Sequence, residues 1–144
     1  MRNLSLMIIA ALMAACSYIP FSGGALSGTL TAPPNDWTQV ASPSVVELET
    51  QPSDPYSVKL WIIGLGPNLW VHAGANRATW VEHMEVDPNV RVLIGDALYE
   101  LAAERVTGAE EFGRFADAYE EKYGNRPRNE NIAEIYLYRL VPRA

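Results

Sequence analysis

The sequence predicts a mainly β domain of the α+β class, an antiparallel sheet curled into a small barrel with two helices packed at its openings. Three observations predict it. Short runs of β-branched and aromatic residues recur between Gly, Pro and Asn clusters, as at Val58–Ile63, Leu69–Ala73 and Val90–Ile94. Only two stretches carry helical spacing, after Asn76 and after Thr107. The strands follow one another through tight turns, which excludes a parallel, doubly wound sheet.

The chain begins with a segment that belongs to targeting rather than to fold. Arg2 is a positive start, and Leu4 to Leu12 is an apolar run far shorter than the ~20 residues that span a bilayer. Met13-Ala14-Ala15-Cys16 then places two small residues before the one cysteine of the chain. This arrangement resembles a bacterial lipobox, although that pattern prefers leucine where Met13 stands. The resemblance implies a signal peptide over 1–15, cleavage before Cys16 and lipid attachment to Cys16. An ordinary secretory signal with an incidental cysteine is the alternative. Ser17 follows the cysteine, where an Asp would favour retention at an inner membrane. The resemblance therefore implies a lipid-anchored envelope protein, held on an outer membrane and facing the periplasm. With Cys16 acylated, no thiol remains for a disulfide, a nucleophile or a thiolate metal site.

Residues 16–43 read as a flexible tether, rich in Ser, Gly, Pro, Thr and Ala and carrying one charge, Asp36. Ala25 to Leu30 could form a short edge strand, and Trp37 is the one large residue there able to dock on a domain. The folded domain is assigned to 44–144, enough chain for one core. The formal net charge is −6 and becomes −7 once Arg2 is removed. An acidic domain without a Lys/Arg cluster argues against nucleic acid as a partner.

Within the domain, Ser44–Thr50 alternates and reads as a strand with Glu47 and Glu49 opposite its apolar face. Gln51-Pro52-Ser53-Asp54-Pro55 is a turn. Val58–Ile63 and Leu69–Ala73 flank the turn residues Gly64 to Asn68. Gly74-Ala75-Asn76 is a small loop where a backbone can approach a ligand, and Asn76 is the expected cap of a helix reaching Glu85. Asp87-Pro88 ends that helix, because the residue before a proline avoids helical angles. Gly95-Asp96 marks a hairpin. Ala97–Thr107 is helical by composition, but a long bent strand fits better after that turn and with its Arg-Val-Thr end. Thr107 and Glu110 form a capping pair for a helix whose Phe112, Phe115, Ala116 and Tyr119 face the core, and Gly124 stops it. Ile135–Val141 is the last strand. The total is about six strands and two helices.

Over roughly residues 56–143 the order of short motifs resembles the split β-barrel flavin-binding superfamily. That superfamily includes pyridoxamine 5'-phosphate oxidase-like proteins and deazaflavin-dependent nitroreductases. The resembling residues are the loop Gly74-Ala75-Asn76-Arg77, the tryptophan-led helix Trp80-Val81-Glu82-His83-Met84, the strand opening Pro88-Asn89-Val90-Arg91-Val92, and the final Tyr138-Arg139-Leu140-Val141-Pro142-Arg143. The resemblance implies a split barrel binding FMN or a deazaflavin. It assigns the phosphate seat to Gly74, Asn76, Arg77, Thr79 and Trp80, with Arg77 as charge partner at a helix start. Trp61, Trp70 and Trp80 would border the flavin ring. It also implies a homodimer with the cofactor between subunits. Two features depart from the pattern. Ile63 to Pro67 replaces a hydroxyl-rich "T-x-G-R-x-S-G" stretch, and one cation serves where a doubly charged phosphate ordinarily meets two.

The residues by themselves support plainer roles. Three tryptophans near a hairpin are commonly core. His72 and His83 make a metal pair or a general base with Glu82 or Glu85 only if the fold gathers them, and two histidines lack a third ligand. Arg77 is equally suited to pairing with Glu82 or Glu85. No Ser-His-Asp set can be assembled, so no catalytic residue is nominated. An oxidoreductase and a non-catalytic, lipid-anchored binding or structural module that has lost the cofactor both fit the sequence.

Overall fold

A computed structural model of the chain describes residues 23–144. The proposed signal peptide and Cys16 lie outside the described residues. The elements are β1 (Thr29–Leu30), β2 (Val46–Thr50), β3 (Tyr56–Leu60), β4 (Ile63–Leu65), β5 (Asn68–Ala73), α1 (Thr79–Val86), β6 (Asn89–Ile94), β7 (Ala97–Val106), α2 (Ala109–Tyr123) and β8 (Tyr136–Pro142). They form a single sheet in the order β3-β2-β6-β7-β8-β5-β4, with β1 added in parallel beside the start of β7. Every pairing along that path is antiparallel.

The order explains the curl. β3 and β4 are the two outermost strands, yet only Trp61 and Ile62 separate them in sequence. Laid flat, seven strands would hold their outer members about 29 Å apart. The connection spans at most about 11 Å. The sheet must therefore bend until its ends nearly meet. The run Val58–Ile63, expected as one strand, breaks at this seam because its two halves pair with different neighbours, β2 and β5.

The pleat then divides the core in two. Leu48, Val71, Val92, Leu101 and Leu140 fill the barrel interior with Trp80, Val81 and Met84 of α1. Trp70, Val106 and Leu137 point the other way and pack under Phe112, Phe115 and Ala116 of α2. Ala97–Val106 is one ten-residue strand, as its turn and its Arg-Val-Thr end indicate. Gly124 ends α2 at φ 82°. Two caps differ from expectation. Asn76 stands two residues before the N-cap of α1, which is Ala78, and Thr107 yields to Gly108 at α2; neither helix has a side-chain cap.

The described part of the expected tether, from Gly23 on, is instead a strap laid on the sheet ahead of Ser44. Gly23 and Ser57 exchange backbone bonds of 2.8 Å. Glu49, read from alternation as solvent-facing, is 3% exposed. Its carboxylate takes two bonds of 2.8 Å from Arg91 and one of 2.7 Å from the Leu26 amide, and Arg91 also donates to the Leu26 carbonyl. Thr29 and Thr31 donate to the Asp96 and Leu98 carbonyls. Trp37 is 2% exposed and meets Tyr99 edge-on at 5.0 Å. The strap lies so close at Gly64 that a Cβ there would come 2.6 Å from Ala41 Cβ and 2.7 Å from the Trp37 carbonyl. Lys122 Nζ closes the strap by donating to Ala41, Pro43 and Ile62 carbonyls at 2.7–2.8 Å.

Two predictions follow from this packing. Glu49→Ala leaves Arg91 and the Leu26 amide of the strap without their carboxylate partner. It should cost about 2–4 kcal/mol in urea unfolding and open residues 23–43 to protease before the barrel unfolds. Burial raises the Glu49 pKa, but the bonds from Arg91 and Leu26 and the Arg91 charge together bring it below the ordinary value. The pair's stabilisation is thus present above the usual carboxylate range and lost as pH falls through the folded pKa. The second prediction concerns His72, which packs on Phe115 and Tyr119, where burial holds its pKa below 6.5. The fold accepts the neutral ring, so stability should fall as pH drops from about 6.5 toward the folded value. His72→Leu should flatten that part of the urea-midpoint profile.

Candidate functional site

The segment singled out by the sequence lies where β5 leaves the sheet. β8 pairs with β5 as far as Ala73, and the next five residues carry the chain to the start of α1. Gly74, Ala75 and Asn76 are exposed. A Cβ at Gly74 would meet nothing within 4 Å. This glycine is demanded neither by crowding nor by a positive φ, so the loop is open rather than a fitted cradle.

Arg77 is occupied. Its guanidinium folds back over α1 and pairs with Glu85, with Glu82 4.0 Å away. The three side chains are 37–55% exposed, so such pairing is worth about 0–1 kcal/mol. Its electrostatic consequence matters more. One cation between two carboxylates leaves a net negative charge beside the helix start, which opposes a phosphate dianion. The positive end of the α1 dipole is a partial charge and does not reverse that sign. Trp80 is 8% exposed and packs into the barrel interior, while Thr79 is exposed. Of the five residues assigned to a phosphate seat, Gly74, Asn76, Arg77 and Thr79 line one short path, and Trp80 turns away from it.

The expected tryptophan wall is not assembled. Trp70 is fully buried beneath α2, and its indole donates to Glu111 Oε1 at 3.2 Å. Glu111 is held in turn by Arg139. Trp80 lies in the other core. Trp61 is 48% exposed and stacked on Tyr123 with ring centroids 4.1 Å apart. The pleat causes the separation, because Trp61, Trp70 and Trp80 belong to the seam, the outer face and the inner face respectively. The residues present do not fit a flavin phosphate and ring at this loop.

The two histidines are also apart. His83 Nδ1 lies 2.8 Å from the Thr50 hydroxyl, and its ring meets Tyr56 edge-on. His72 sits among the aromatic residues of α2. Among the described residues, no three His, Cys, Asp or Glu side chains are grouped to hold a metal.

Two features escaped the sequence reading. The Glu49–Arg91 pair is one. Its signal was an opposite charge placed at alternating positions of two strands, which reads equally well as a solvated face. The other is Gln51, at φ 56°, beside an open cavity of about 410 Å³ lined by Gln51, Ser53, His83, Val86 and Asp87. A left-handed glutamine has no local signature beyond the turn-forming Pro52 after it.

No family model matches the chain, and no curated protein matches its sequence. Solved structures do match its fold. A candidate pyridoxamine 5'-phosphate oxidase from Listeria innocua superposes with a TM-score of 0.57 at 18% identity, over 73% of this chain and 88% of that one. An FAD-binding protein from Mesorhizobium loti gives 0.53 at 16%, over 74% and 87%. An F420 reductase gives 0.51 at 18%, over 78% and 96%. At these identities the likeness concerns architecture. The chain shares with these proteins a mainly β, antiparallel split barrel carrying two helices.

Proposed function

We propose that the chain is a lipid-anchored split-barrel module of the bacterial envelope, acting by binding or as a structural part rather than by flavin chemistry at the 74–80 loop. The observation that carries this reading is Arg77, the single cation of that loop, neutralised by Glu82 and Glu85. A seat for a flavin phosphate needs surplus positive charge, and this one has a deficit. The anchor is acylated Cys16, on an outer membrane facing the periplasm. The lipobox-like Met13-Ala14-Ala15-Cys16 supports that half of the reading.

A second reading is an oxidoreductase dependent on a flavin or deazaflavin. It is favoured by structural neighbours described as FAD-binding and as an F420 reductase. It requires Arg77 to leave its carboxylates, or a second subunit of a homodimer to bring further cations to the loop.

The absorbance spectrum of the natively exported protein separates the two. The first reading expects no band near 420–450 nm and no binding of added FMN. It also expects Arg77→Ala to cost less than about 1 kcal/mol in stability with no other effect. A coloured protein whose band disappears in Arg77→Ala would establish the second. As a further check, Glu82→Gln with Glu85→Gln frees Arg77. If the carboxylates alone bar the phosphate, this variant should gain FMN affinity in a fluorescence-quenching titration.

A further inference from the structure

We infer that the barrel rests against the lipid surface through the seam patch formed by Trp61 and Val45, at the end of edge strand β3. This inference rests on the lipid-anchor reading of Cys16. Its first support is length. Gly23 is fastened to Ser57 by two backbone bonds, so the chain from Cys16 is only seven residue steps long. Seven residue steps reach at most about 25 Å. A compact domain of this size is roughly 35 Å across. The face around the β3 edge is therefore held toward the membrane.

The second support is direction. The Gly23–Ser57 bridge is antiparallel, and Gly24 lies against the Pro55 carbonyl. Chain polarity at the bridge is thus opposite to that of β3, so the N-terminal side of Gly23 faces the Leu60–Trp61 end of the strand.

The third support is the chemistry found there. Trp61 is 48% exposed, its ring stacked on Tyr123 and tilted against Tyr119 at 5.8 Å. The Tyr123 hydroxyl donates to the Ser44 carbonyl, which brings the 48% exposed Val45 to the same end. Val46 pairs with Leu60, one step inward. Tryptophan and tyrosine side chains favour the headgroup region, where one end is apolar and the other wet. Lys59 on β3 stands opposite Glu47, so the two charges offset and the attraction is interfacial rather than ionic. A patch this small would not bind a membrane unaided. A covalent anchor keeps it at high local concentration, where a weak contact suffices.

The four tryptophans make the test direct. Trp37, Trp70 and Trp80 are buried, and Trp61 is exposed. Full-length protein processed in a bacterial host is reconstituted into phosphatidylcholine vesicles with and without brominated acyl chains. Brominated lipid should remove up to one tryptophan's share of the emission, and Trp61→Phe should abolish that quenching. Phenylalanine keeps a ring on Tyr123, and far-ultraviolet circular dichroism checks the variant's fold. Protein that floats with the vesicles but shows no quenching, or equal quenching in Trp61→Phe, overturns the inference and leaves the anchor intact. The mass of the N-terminal peptide and vesicle flotation report on the anchor separately. Protein that is neither acylated nor floats overturns the anchor reading and the inference with it.

Discussion

Two residues join the outermost strands of this sheet, and most of the architecture depends on that short link. A flat sheet would separate β3 from β4 by several strand widths, far beyond the reach of Trp61 and Ile62. The resulting curl gives the sheet an inside, filled by one apolar cluster with α1, and an outside, covered in part by α2 with a second cluster. Alternation along each strand then sends neighbouring residues to different cores. Leu69 and Val71 face inward while Trp70, between them, faces α2.

The strap completes the closure. β1 lies beside the first half of β7, and β8 pairs with the second half. The strap's polar groups are satisfied by a buried carboxylate–guanidinium pair at Leu26 and by Lys122 at its far end. A buried charge pair contributes little net stability against an apolar alternative, but removing one member strands the other. Glu49 and Arg91 thus serve to position the strap at one place on the sheet.

The loop after β5 is where architecture and function part. Similar barrels include proteins described as FAD-binding and as an F420 reductase. A fold carries no chemistry without the side chains of its site. Here the loop's cation is engaged by carboxylates from the helix it precedes, and the tryptophans are distributed over three environments. The electrostatics of a few side chains therefore weigh more in the functional reading than the path of the backbone.

By itself the sequence determined the class of the fold, both helices, the long strand Ala97–Val106 and the hairpin at Gly95-Asp96. These depend on local period and on turn chemistry, which act over a few residues. It also contains the lipobox-like segment, which a processing enzyme would read as sequence. Tertiary structure decided what depends on distant partners. Glu49 looked solvated because alternation cannot reveal that Arg91, forty-two positions away, would bury it. Residues 23–43 looked like a tether because their composition is poor in apolar side chains. Their order comes instead from the edges and carbonyls that the curled sheet offers them. Val58–Ile63 looked like one strand because β propensity is blind to which neighbour each half pairs with. For Arg77 the sequence left phosphate binding and pairing with Glu82 or Glu85 equally open, and the fold of its side chain onto Glu85 decided between them.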